Sequence, residues 1–260
     1  MFEDRMIKSA IPERVFSLCL ALKGKHFKDE ELRELLEPSD LGGVTRYYGT
    51  VKEAARQLGL VSIKENEITL AVDNSVVSSY DKFREYIIQN IDFISSGLFF
   101  RVSEEYMKMN DDVFKYKGIS SNGMVEHMTN MIGKSVYEDD MLAWRFWSSF
   151  LGLGTLHNMI LLPNMYQYLK SMLAVVDLKK GEEYTFSDFF SLIKPYTEIG
   201  LCDIDDSKKL NLGMSNGLRA LHDKGIIQLS HKLDSGDMWF LYEAELHPIK
   251  STVTHVTVRR

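Results

Sequence analysis

Residues 58–70 read LGLVSIKENEITL, and residues 151–162 read LGLGTLHNMILL. With one residue removed from the turn, the two share Leu-Gly-Leu, an apolar residue, and then Asn-x-Ile-x-Leu. Residues 224–241, KGIIQLSHKLDSGDMWFL, carry the same ending with a longer turn. Each copy follows a helical segment: VTRYYGTVKEAARQL, MLAWRFWSSFL and MSNGLRALHDK in turn. A helix that stops on a glycine tolerant of positive φ can begin a strand at once and pack it back on itself. Gly59, Gly152 and Gly225 are therefore expected to end helices, each followed by a β-hairpin.

Working outward, PERVFSLCLALK from Pro12 reads as a helix with Val15, Leu18, Cys19 and Leu22 on one face. Asp29 opens DEELRELLEP, whose stripe is Leu32, Leu35 and Leu36 and whose stop is Pro38. Between the hairpins, YDKFREYIIQNIDFI sets Tyr80, Phe83, Ile87, Ile91 and Ile94 at helical spacing, and VSEEYMKMNDDVF and SSNGMVEHMTNMIG continue helical. PNMYQYLKSMLAVV follows the second hairpin with Met165, Tyr168, Leu169, Met172 and Leu173 on one side. TFSDFFSLIKP reads as a helix capped by Thr185 and Asp188 and halted before Pro195. The alternating, β-branched STVTHVTVRR should form a last strand.

The 260 residues are 45% hydrophobic and 26% charged, a composition that builds a core and excludes a disordered or collagen-like chain. No apolar run approaches the roughly 20 residues that span a bilayer, so no membrane association is expected. The N-terminal MFEDRMIKSAIPERVF mixes both charges and does not read as a signal peptide. Cys19 and Cys202 are far apart in apolar settings, which fits free thiols in a reducing, cytoplasmic setting. Net charge is −6, with 11 basic against 13 acidic residues over 1–75, 11 against 12 over 76–180 and 9 against 12 over 181–260. No third is basic, as a phosphate-neutralising protein usually is.

Catalytic signatures are missing. The seven histidines form no His-x-x-x-His or His-Glu-x-x-His pair, and two distant cysteines make no zinc ribbon. Neither a phosphate-binding glycine loop nor a Gly-x-Ser-x-Gly elbow occurs. Acidic pairs such as Asp139–Asp140 and Asp205–Asp206 read as turn or helix-entry residues. A non-catalytic chain with no cofactor and no metal is expected. Trp144, Phe146, Trp147 and Phe150 crowd one helix; they read as core or, through Trp144 and Trp147, as a groove for a partner.

The three helix–glycine–hairpin units make the chain resemble the winged helix-turn-helix superfamily. The resemblance implies a mainly α fold with small β-hairpins (α+β), built from tandem winged-helix modules packed with extra helices. Its modules are an N-terminal winged helix at 1–75, a helical middle module with a degenerate winged helix at 76–178, and a C-terminal winged helix at 179–260. In that superfamily the helix before the wing enters the major groove and the wing touches the flanking backbone. Carried over, the DNA-binding residues of the first module are Thr45, Arg46, Tyr47, Lys52 and Arg56, with Lys64 on the wing. Those of the third are Lys208, Lys209, Asn211, Ser215, Asn216 and Arg219, with His231 and Lys232 near its wing.

The resemblance points to a non-catalytic protein that binds or clamps double-stranded DNA, or bridges DNA to catalytic partners, in a bacterial defence or chromosome-handling complex. Two alternatives stand beside it: a structural protein-docking subunit without DNA contact, and a transcriptional regulator acting as a homodimer. If the third module reads DNA, replacing Lys208, Lys209 and Arg219 together by Glu is expected to abolish binding, as read by fluorescence anisotropy, and to leave folding intact.

Overall fold

The computed structural model describes residues 2–41, 46–94, 97–201, 204 and 207–259. The fold is α+β, about 49% helix and 14% strand, so the small antiparallel sheets are fitted onto a helical body. The order opens with α1 (Pro12–Ala21), β1 (His26–Lys28), α2 (Asp29–Leu36), α3 (Tyr48–Gln57), β2 (Val61–Lys64) and β3 (Glu67–Leu70). Pro12 begins α1, and Val15, Leu18 and Cys19 turn inward as the spacing predicts. The hairpin closes through Glu65 and Asn66 at φ 46° and 70°, the left-handed pair that matches strand twist in a two-residue loop. Strand β1 joins the far side of β3, giving the order β1-β3-β2. Its three residues are too short to show alternation and had no signal in the sequence.

The middle of the chain supplies α4 (Tyr80–Gln89), α5 (Leu98–Lys108), α6 (Asn122–Ile132), α7 (Glu138–Leu151), and the hairpin β4 (Gly154–His157) and β5 (Ile160–Pro163). Helix α4 stops short of the expected Ile94: Asn90 caps it, its side-chain amide donating to the Tyr86 carbonyl at 2.8 Å, and Ile91–Ile94 continue as a 3-10 turn. The side chain of Ile94 lies outside the described residues.

The last part holds α8 (Tyr166–Leu173), β6 (Glu183–Thr185), α9 (Phe186–Leu201), α10 (Leu212–Asp223), β7 (Ile227–Ser230), β8 (Trp239–Phe240), β9 (Thr252–Val253) and β10 (His255–Val258). Two expectations fail here. Helix α9 passes through Pro195 instead of halting before it. Pro195 and Ser191, whose carbonyl loses its donor, both face solvent, while buried Ile193, Thr197 and Ile199 hold the helix to the core. The partner of β7 is also not the 239–241 segment. Strand β7 pairs with β10, His255 opposite Ser230 and Val258 opposite Ile227, in a sheet ordered β6-β10-β7. The segment between them is a folded insert in which β8 pairs with β9.

One hydrophobic core runs from Phe2 to Val256. Helix α10 sits deep within it, with Gly213, Met214, Ser215, Gly217, Leu218, Arg219 and Leu221 buried. Two glycines permit this. A Cβ on Gly213 would lie 2.2 Å from Met107 Cε, and one on Gly217 would lie 2.7 Å from the Met165 carbonyl carbon and 2.9 Å from the Tyr166 nitrogen. The Met165 N–H donates to the Gly213 carbonyl at 2.9 Å, so α8 begins directly on α10.

Gly59, Gly152 and Gly225 have φ of 66°, 84° and 66°, as the repeat requires. Gly225 has no neighbour within 4 Å of an added Cβ. Gly225→Val is therefore expected to cost about 1 kcal/mol through backbone strain alone, whereas Gly217→Val, which drives a side chain into the α8 backbone, should cost about 3 kcal/mol or more. Urea unfolding of the two variants checks the difference; equal losses would mean that α10 does not approach α8 this closely.

Candidate nucleic-acid interface

In the first unit α3 buries Tyr48, Val51, Ala54 and Ala55 and turns Lys52, Glu53 and Arg56 outward. Thr45 lies outside the described residues. Arg46 is exposed just ahead of the helix, and Lys64 is exposed at the hairpin tip. Tyr47 is half-buried, with the Arg14 guanidinium 4.0 Å above its ring and its hydroxyl 3.4 Å from the Leu36 carbonyl. The N–H groups of Tyr47 and Tyr48, at the start of α3, both donate to Glu37 Oε1. The helix N-terminus, where a phosphate would sit most favourably, is thus already occupied by the protein's own carboxylate.

The remaining cations of α3 are paired. Lys52 Nζ lies 2.5 Å from Asp29 Oδ1, which also accepts the Tyr48 hydroxyl at 2.7 Å. Burial pushes the Asp29 carboxyl up, but the bonds from Lys52 and Tyr48 outweigh it and hold the group below the usual range. Arg56 grips Glu53 through Nε at 2.8 Å and Nη2 at 2.6 Å. Only Arg46 and Lys64, of the described candidates here, present an exposed side chain without an ion pair.

The third unit departs further from a DNA-reading surface. Asn211 is buried and caps α10, accepting the Met214 N–H at 2.9 Å. Buried Ser215 Oγ accepts the Tyr242 N–H at 2.7 Å, and Asn216 Nδ2 donates to the Pro163 carbonyl at 3.1 Å. Arg219 is 4% exposed and donates to the carbonyls of Ile249, Tyr242 and Lys250. Asn211, Ser215 and Arg219 are buried and Asn216 is half-buried, which corrects their reading as DNA contacts: the bonds they make go to the chain itself. The triple replacement expected to spare folding would instead bury a carboxylate among three carbonyls at position 219. Lys208 Nζ is 2.7 Å from Asp237 Oδ1 and 5.6 Å above the Trp239 ring. Lys232 pairs with Glu183 at 2.5 Å; Lys209 and His231 are exposed.

In the middle unit Trp144 and Trp147 are 0% and 1% exposed, so the structure makes them core and corrects their reading as a partner groove. Trp144 Nε1 donates to Ser103 Oγ and Trp147 Nε1 to the Ala10 carbonyl, each at 2.8 Å. The hairpin tip is pinned, since the Ile119 N–H donates to the Met159 carbonyl at 2.8 Å.

No protein-family model, curated protein or solved structure matches the chain. Among the described residues, no group of three or more His, Cys, Asp or Glu is placed to hold a metal ion, and no helix is long and apolar enough to cross a membrane. Cys19 is buried, and burial pushes its thiol up to about 12, so it stays protonated at neutral pH. Cys202, Asp205 and Asp206 lie outside the described residues.

The acids that organise these surfaces, Glu37 and Asp237, carry no sequence signal that joins them to their partners. Asp237 lies 29 residues from Lys208 and 50 from Ser187, and no local pattern joins them. Its carboxylate accepts the Ser187 N–H at 2.7 Å and the Trp239 Nε1–H at 3.1 Å. Burial raises this carboxyl, but Lys208 and Ser187 more than reverse the effect and bring it down to about 2. A carboxyl lowered on folding contributes stability above its unfolded pKa, near 3.8, and that stability is lost as pH falls toward 2. Asp237→Asn is therefore expected to lower stability at neutral pH by about 1–2 kcal/mol and to flatten the wild-type decline below pH 4, as read by thermal melts across pH. An unchanged acid profile would show that Asp237 does not carry this network.

Proposed function

We propose that the chain is a non-catalytic, tandem winged-helix subunit whose main work is docking partner proteins in a DNA-handling assembly of the bacterial-defence or chromosome-handling kind. The chain order α1-β1-α2-α3-β2-β3 with its strands arranged β1-β3-β2, and the order α8-β6-α9-α10-β7 with strands arranged β6-β10-β7, support the winged-helix reading. The observation that carries the docking role is the burial of the helices before the second hairpin and before β7. A helix enclosed by its own chain is not free to enter a groove, and α7 and α10 are so enclosed. The acidic balance in every third of the sequence points the same way.

A second reading, direct DNA contact by the first unit, is favoured by the exposed Arg46 and Lys64 flanking α3. Two exposed cations supply few phosphate contacts, so this mode is weak and its salt slope shallow.

Fluorescence anisotropy of the full chain with a labelled duplex of about 30 base pairs, titrated across salt, separates the readings. The docking reading expects no saturable binding at physiological salt; residual low-salt binding should vanish in the Arg46→Glu, Lys64→Glu double variant. A steep salt slope corresponding to about six or more phosphate contacts, or loss of binding on Lys209→Glu, would overturn it.

A further inference from the structure

Strand β7 is an edge strand, and beside its end the insert returns as Pro248–Val253. Between them lies a cleft of about 400 Å3 whose polar walls are Ser230, His231, Lys250, Ser251 and Thr252. Three properties of this cleft suit the same ligand chemistry.

Its donors are uncommitted. Ser230 Oγ is buried and has no hydrogen-bond partner among the described residues, an arrangement that is costly unless something fills it. The His231 and Lys250 side chains reach solvent, and neither joins an ion pair among the described residues. Nor is any residue lining the cleft acidic. Asp223 and Glu183, which lie on flanking elements, already hold His247 at 3.2 Å and Lys232 at 2.5 Å.

The cleft is also backed by an uncompensated cation. Arg219 donates to three neutral carbonyls, two of them on Ile249 and Lys250 in the cleft wall, and its Nη1 has no partner among the described residues. A buried guanidinium facing carbonyls alone keeps its full charge in a medium that screens poorly. That potential falls on the cleft through the two peptides Arg219 holds.

We propose that this cleft binds a small phosphate-bearing ligand, its oxyanion held by the Ser230 hydroxyl, His231 and Lys250 over the positive field of Arg219. His231 then serves this site and not a DNA backbone. The inference stands apart from the docking role, because the duplex titration reports on Arg46 and Lys64 while this site is read with small anions.

Isothermal titration of the full chain with inorganic phosphate, at ionic strength held constant with chloride, tests it. Saturable binding is expected, weakened about tenfold by Lys250→Gln and weakened also by Ser230→Ala. Lys224→Gln, whose ammonium lies over the Tyr166 ring, should leave it unchanged. Cooperative thermal melts of the ligand-free variants, unaltered in Lys250→Gln and unaltered or raised in Ser230→Ala, show that they fold. Tighter binding of a nucleoside monophosphate than of inorganic phosphate supports the site with an ester as its ligand, and equal binding supports it with free phosphate as its ligand. Absence of saturable binding, or binding that Lys250→Gln and Ser230→Ala leave intact, overturns the proposal.

Discussion

The Asp140 carboxylate, with no solvent exposure, holds the N-terminal arm to the start of α7. It accepts the Met6 N–H at 2.8 Å, Arg5 Nε at 3.0 Å and the Tyr137 N–H at 3.0 Å. A negative charge in the first turn of a helix is favoured by the helix dipole, and three donors meet its hydration demand from within the protein. The anchored arm sets Phe2 edge-on to Phe99 and Trp147, with ring centroids 5.8 and 5.1 Å away. The carbonyls of Glu3 and Phe2 then accept the first N–H groups of α5 at 2.8 and 3.2 Å. The first unit is thereby fastened to the middle one by capped helices as well as by apolar contact.

A parallel device joins the middle unit to the third. Gly213 and Gly217 remove the side chains that would hold α10 away from Met107, Met165 and Tyr166. Asn110 Oδ1 accepts the Leu212 N–H at 2.7 Å, so a residue from the middle of the chain caps α10 as well. Close approach has a functional consequence. A helix chosen for small residues and internal capping has few side chains left for a ligand, and Asn211, Ser215 and Arg219 are absorbed in organising the insert and the core. Helix α3 packs its apolar face on α1 and keeps a polar outer face, yet its N-terminus and two of its cations are neutralised by Glu37, Asp29 and Glu53.

The repeat made two hairpins and all three glycines legible because each is a local device. A left-handed residue after a helix and a two-residue turn need only a few neighbours in sequence. The Thr185–Asp188 cap was readable for the same reason, with the Asp188 N–H 3.1 Å from Thr185 Oγ1. Strands β1 and β6 were not readable. Three residues carry no periodicity, and each exists because a distant strand offers hydrogen bonds. The Pro195 stop failed because tertiary burial on both sides of the proline outweighed one missing backbone bond.

The candidate site was the least legible part. Lysines 52, 208 and 232 read as solvent-facing cations, and only the fold brings Asp29, Asp237 and Glu183 against them. Arg219 read as a groove contact because its helix has the right position before a hairpin, while its burial depends on where the insert returns. By itself the sequence determined the helix ends at the three repeat glycines, the two tight hairpin turns, the apolar faces and the acidic balance, all of which arise between residues close along the chain. Tertiary structure decided which helix faces remain open and which charges remain unpaired. Both depend on contacts between segments far apart in sequence, where packing and desolvation, not spacing, select the partner.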